Sequence, residues 1–215
     1  MLLSALLGLL LQLPGPALQI PAPTGYVNDF AKVIDPASRA AMEDLIARVR
    51  AGCGGEIVVV TLPDLKGRAP IEVARDIGRD WKVGAQGAAG DERRNTGVVL
   101  LLVPGGRPGD GKAQLAVGTG TGAEGFITDD LAGRIRDAIG RQAVTTGSYA
   151  AGLVTGVQLL AAAYAQQFGF TLTGVAPAPA PPAPPSGSSG GGWVNLLFVA
   201  LVSLEWFLRR RWGMV

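Results

Sequence analysis

The stretch Gly97–Val117, GVVLLLVPGGRPGDGKAQLAV, decides the fold. It opens with GVVLLLV, an uninterrupted apolar run of the kind that fills a strand buried on both faces. The loop PGGRPGDGK (Pro104–Lys112) follows, dense in turn residues. AQLAV (Ala113–Val117) then reads as another strand. The loop is too short for a crossover helix, so the two runs must pair antiparallel. Upstream lies a third apolar run, EIVVVT (Glu56–Thr61). Between it and GVVLLLV, Pro70 opens a segment with Ile71, Ala74, Ile77 and Trp81 at helical spacing, ending by Gly84. A strand, a helix and a strand predict a parallel, right-handed unit.

The flanks add helices. Asp35-Pro36 reads as an N-cap with proline at the first helical position, followed by Met42, Leu45, Ile46 and Val49 on one face. Thr128 caps a helix carrying Leu131, Ile135, Ala138 and Ile139; Ser148 caps another carrying Tyr149, Leu153, Val157, Leu160 and Tyr164. Four helices around a small mixed sheet predict an α/β domain, a three-layer α/β/α sandwich, over residues 26–168.

Composition removes whole reaction classes. The 215 residues include no histidine and one cysteine, Cys53. Ser-His-Asp triads, Cys-His dyads, zinc helices of the HExxH type, cysteine zinc clusters and intrachain disulfides are thereby excluded. The net charge of +2 comes from the C-terminal stretch with Glu205 and Arg209–Arg211; the remainder has as many basic as acidic residues. No basic stripe marks a nucleic-acid partner.

The ends suggest export and anchoring. Residues 1–18 carry no charged side chain and are apolar from Leu2 to Leu11, as in a signal peptide; a buried N-terminal helix is the alternative, opposed by Pro14 and Pro16. Residues 175–192 read as an Ala/Pro then Ser/Gly spacer. Residues 193–208 are expected to form a transmembrane helix, although a helix lying in the interface is the rival reading. The basic tail 209–215 then lies in the cytoplasm and the domain outside it.

Several blocks resemble the TPM domain of bacterial envelope and plant thylakoid-lumen proteins. They are Val27-Asn28-Asp29, EIVVVT, Trp81-Lys82-Val83-Gly84, Asn95-Thr96-Gly97 leading into VVLLLV, Gly120–Gly125 with Ile127-Thr128-Asp129, and Gly147-Ser148-Tyr149 with Gly152. They occur in the family's order across residues 26–165. Thr96 departs from the pattern, as does the Gly140–Ala143 segment, which lacks the proline often found there.

The antiparallel pairing should bring the GTGTGAEG loop (Gly118–Gly125) beside Asn95-Thr96-Gly97. Asp29, Asn95, Glu124 and Asp129 would then offer hard oxygen ligands suited to Ca²⁺ or Mg²⁺. The resemblance implies divalent-cation binding as well. The plainer alternative is structural: the glycines supply positive φ, and Thr128, Asp129 and Asp130 cap and charge a helix start. Glu124 would repel a pyrophosphate, so a nucleotide is not expected. Two functions follow. One is a membrane-anchored, cation-binding accessory module for membrane-protein maintenance, with the membrane and other membrane proteins as partners. The other is a metal-assisted phosphatase, implied by plant relatives credited with acid phosphatase activity, with Asp129 or Glu124 holding the cation or acting as acid/base; no arginine clamp is obvious, although Arg93 or Arg94 could serve.

Overall fold

The structure is a computed structural model and describes residues 18–84, 91 and 93–174. The spacer and span expected from residue 175 onward lie outside the described residues, as does the expected leader except Leu18. That residue and Ile20 pack on the core face that carries Trp81.

Eight elements follow in chain order: β1 (Val27–Asp29), α1 (Pro36–Cys53), β2 (Glu56–Thr61), α2 (Pro70–Asp80), β3 (Gly97–Val103), β4 (Gln114–Thr119), α3 (Asp129–Thr146) and α4 (Tyr149–Phe168). The sheet order is β1-β2-β3-β4, with β1, β2 and β3 parallel and β4 antiparallel to β3. The expected three strands thus become four. The added strand is only three residues long and has no alternation to betray it. It is held by Val59 N–H donating to the Tyr26 carbonyl at 2.7 Å and Phe30 N–H donating to Thr61 at 3.1 Å.

The helix caps form as their residues dictate. Asp35 accepts from Ser38 N–H at 2.9 Å, Thr128 from Leu131 N–H at 3.3 Å and Ser148 from Ala151 N–H at 3.3 Å. Each satisfies an N–H that the first helical turn leaves without a partner. α1 stops where Gly54 turns left-handed at φ 76 and donates back to the Arg50 carbonyl.

Helices cover both faces of the sheet. Ile57, Val59, Val98, Leu100, Leu102 and Val117 point toward α1, α3 and α4. Val58, Val60, Val99, Leu101, Val103 and Ala116 point toward α2. All seven residues of β3 are buried, which is why its sequence shows no alternation. Among the described residues no helix is long and apolar enough to cross a membrane.

Candidate functional site

The polar motifs gather around one end of the sheet, where β2 and β3 begin and β4 ends. Three backbone segments meet there with almost no room between them. Gly120 N–H donates to the Gly97 carbonyl at 2.8 Å and Gly122 N–H to the Asn95 carbonyl at 3.1 Å. A methyl group on Gly84 would stand 2.1 Å from the Gly97 nitrogen, and one on Gly120 2.3 Å from the Asn95 oxygen. Close approach, not positive φ, is what Gly118, Gly120 and Gly122 provide; none of them has positive φ. Gly84 is tied further by its N–H to Glu56 Oε2 at 2.8 Å, while Arg50 holds the other oxygen of that carboxylate at 3.2 Å.

Between this junction and α2 opens a cleft of about 600 Å³. Val99, Gly97 and Gly118 form its floor, and Asn95, Thr119, Gly120, Thr121 and Glu124 line one wall. Arg75, Arg79 and Lys82 line the other. Asn95 and Lys82 both hold left-handed backbone, φ 57 and 55, at the turns that bound the cleft. Such a conformation is uncommon for side-chain-bearing residues, Asn less so than Lys. Asp76 draws Arg79 and Arg68 into an ion-paired triad below the rim. The Arg68 hydrogen bond is the main cause that holds the Asp76 carboxyl below its ordinary value, with the charges of both arginines adding to it.

The four expected ligand residues do not converge. Asn95 and Glu124 share the cleft. Asp129, in the first turn of α3, lines a neighbouring pocket of about 390 Å³. Asp29 lies at the opposite end of the sheet, because parallel pairing sets it beside Thr61, whereas Glu56 sits beside Gly97. Five strand residues at about 3.3 Å each separate those levels by about 17 Å, far beyond one ion's coordination shell. Asp29 serves its own turn: its two oxygens accept from Val33 N–H and Ile34 N–H, each at 3.0 Å, and from the Thr61 hydroxyl. Thr96 is also structural, fully buried with its hydroxyl donated to the Arg93 carbonyl at 2.7 Å. Among the described residues no three carboxylate or cysteine side chains cluster as a protein-only cation cage requires. The donor set in the cleft, one carboxylate and one amide facing three cations, does not fit such a cage.

The cations of the cleft escape the sequence reading, which finds no obvious arginine clamp and offers only Arg93 or Arg94 for that role. Both are exposed and neither lines the cleft. A signal was available: Arg75, Arg79 and Lys82 follow at steps of four and three, which puts them on one side of α2 and its extension.

A sequence profile of the TPM domain matches residues 27–163, more than half of the chain. The chain belongs to the TPM-domain family. No curated protein matches it. Among solved structures, the N-terminal domain of a P. gingivalis protein is similar at 26% identity and a TM-score of 0.56, covering 68% of this chain and 86% of that one. Its likeness agrees with the small α/β domain seen here. The BA42 protein of Bizionia argentinensis aligns at 20% identity, TM-score 0.47, over 64% of this chain and 85% of its own. The N-terminal domain of the cg2496 protein of Corynebacterium glutamicum aligns at 15% identity, TM-score 0.46, over 79% and 97%.

Proposed function

We propose that this TPM domain is an anion-binding module, displayed outside the cytoplasm on a membrane tether and serving the upkeep of membrane proteins. The observation that carries the binding activity is the cleft wall of Arg75, Arg79 and Lys82 facing the Gly120 backbone. Arg79 is already ion-paired with Asp76, so Arg75 and Lys82 against the carboxylate of Glu124 carry the net positive charge of the lining. Arginine guanidinium groups match the planar or tetrahedral oxygens of carboxylate and phosphate. The tether rests on the sequence of residues 1–18 and 175–208 alone.

Titration of the full chain with inorganic phosphate tests the reading. Thermal stabilisation should appear and should be lost in the Arg79→Ala, Lys82→Ala double variant, since a ligand that binds only the folded state stabilises it by mass action. Equal stabilisation of both proteins would sink it.

A second reading is phosphate-ester hydrolysis, and the placing of Glu124 and Asn95 in the same cleft favours it. These two residues would hold Mg²⁺ or Ca²⁺ in part, the remaining ligands being water and the bound anion, as is usual for Mg²⁺. When bound, such an ion offsets charge on phosphate oxygens. Turnover of a chromogenic phosphate ester that requires Mg²⁺ and falls in Glu124→Gln would establish it; turnover unchanged in that variant would dismiss it.

A further inference from the structure

The two edges of the sheet are finished differently. On β1 the outward backbone groups of Val27 are capped by α1: Glu43 Oε1 accepts from Val27 N–H at 2.9 Å, and the Arg39 guanidinium donates to the Val27 carbonyl. Covering an edge in this way blocks pairing with another chain. Among the described residues β4 has no such cover. The Gly120–Gly97 hydrogen bond fixes which residues face β3, and antiparallel alternation then turns the N–H and C=O of Leu115, Val117 and Thr119 outward. Among the described residues no other element bonds to these groups, and β4 ends the sheet.

That open edge lies at the bottom of a groove. The 390 Å³ pocket is lined by Leu115, Val117 and Thr119, with Ile71 and Arg75 on the α2 side and both Arg136 and the carboxylate of Asp129 on the α3 side, so its charged lining is two arginines against one carboxylate. Arg75 and Thr119 line both this pocket and the 600 Å³ cleft, so the two adjoin. Ile71 is one of two large hydrophobic residues exposed among the described residues, at 37%. The groove therefore offers free main-chain donors and acceptors, an apolar contact and cationic rims.

We propose that β4 takes an extended acidic peptide as a fifth strand, with a carboxylate of that peptide received in the cationic cleft at the end of β4. The main chain supplies affinity and the flanking side chains supply selection, as in other strand-addition modes. The inference names the ligand class of the anion cleft and rests on that reading for the charge of the peptide. A second copy of this chain is the poorer occupant, because each copy brings two arginines, Arg75 and Arg136, against the single carboxylate of Asp129.

The test is fluorescence anisotropy of the full chain, held in detergent, with a labelled Val-Glu-Val-Glu-Val-Glu peptide. A backbone N-methylated version and a Val-Lys counterpart are the comparison probes. Both should bind at least tenfold more weakly, because one lacks donors for β4 and the other carries the wrong charge. The Arg75→Glu, Arg136→Glu variant alters only exposed side chains and should reverse the preference between acidic and basic peptides. On binding the acidic peptide, amide exchange should slow at Leu115, Val117 and Thr119. Equal affinity for the N-methylated peptide, or no binding of any peptide, overturns strand addition. Phosphate binding without peptide binding does so too, yet leaves the cleft reading intact. Peptide binding with no acidic preference and no phosphate binding overturns both the acidic occupant and the cleft. Dimerisation that the peptide disperses would make a second copy the occupant and overturn the peptide.

Discussion

The Tyr164 hydroxyl, in the last turns of α4, donates to the carbonyl oxygen of Thr96 at the threshold of β3. Both residues are fully buried. This single bond links the longest helix to the segment on which Asn95, Gly120 and Gly122 assemble. Burial raises the phenol far above its ordinary value, so it remains a donor at neutral pH and well into the alkaline range. Tyr164→Phe preserves the ring, which packs edge-on to Phe126 at 5.0 Å. It leaves the Thr96 carbonyl without that partner. The expected cost is about 1–3 kcal/mol, the penalty for a buried group that loses its partner. Urea unfolding of the variant should show a lower midpoint at unchanged slope.

The glycines of the cleft junction make a sharper contrast. Gly120→Ala would push a methyl group to 2.3 Å from a backbone oxygen that cannot step aside, whereas a methyl on Gly125 meets nothing within 4 Å. Gly120→Ala should destabilise by about 1–3 kcal/mol or more, by overpacking, and Gly125→Ala by no more than about 0.5 kcal/mol. Thermal melts of the two variants side by side check this. Similar losses in both would mean that the junction is looser than its geometry indicates.

This contrast also marks how far the sequence could be read. The buried strands and the capping residues Asp35, Thr128 and Ser148 are local signals, and they produce the elements they announce. The approach of the Gly120 loop to Asn95 followed from strand polarity. β1 sends no such signal, because three residues carry no periodicity. The position of Asp29 stays open for the same reason: without β1, nothing in the sequence assigns it to the far end of the sheet. Glycine function was ambiguous in kind, since one residue type answers both positive φ and close approach. The open edge of β4 depends on what the other elements leave uncovered, and no local pattern encodes that.

The Asp76 triad makes the acid limb of stability predictable in sign. Its carboxyl titrates below its ordinary value of 3.8 in the folded state, chiefly through the hydrogen bond from Arg68. Above that value both folded and unfolded chains are ionised, and the triad contributes its full stabilisation. As the pH falls below it, the unfolded chain takes up the proton first, and the contribution fades until the folded carboxyl is protonated too. Asp76→Asn should therefore be less stable than the parent at pH 6, with the gap closing as the pH falls below 3.8. Chemical denaturation at stepped pH measures it. A gap that widens toward acid would contradict the pairing.

Cys53 should be chemically quiet. Its side chain is 1% exposed at the end of α1, the thiol donates to the Val49 carbonyl at 3.3 Å, and burial pushes its pKa above the ordinary 9.0. The thiolate is the reactive form. At pH 8 a thiol reagent should modify the folded chain only at the rate of opening, and the chain in 6 M guanidinium at once. The same shift predicts a small loss of stability as pH rises past the unfolded thiol's value, where only the unfolded chain gives up its proton. Fast labelling of the folded chain would place Cys53 at the surface.

The capped edge of β1 yields the last prediction. Glu43 reaches from α1 to accept the Val27 N–H, and Val27 is fully buried. Glu43→Ala removes the acceptor and leaves a buried donor without a partner, for which about 1–3 kcal/mol is the expected cost. Glu43→Gln keeps a carbonyl oxygen at the end of a side chain of equal length, so it should retain most of the stability, losing mainly the extra strength of a charged acceptor. The alanine variant also uncovers a strand edge that the parent hides, so its association should increase with concentration in sedimentation velocity. If Glu43→Ala and Glu43→Gln prove equally stable and equally monodisperse, the carboxylate is not what closes that edge, and the contrast drawn between β1 and β4 loses its physical basis.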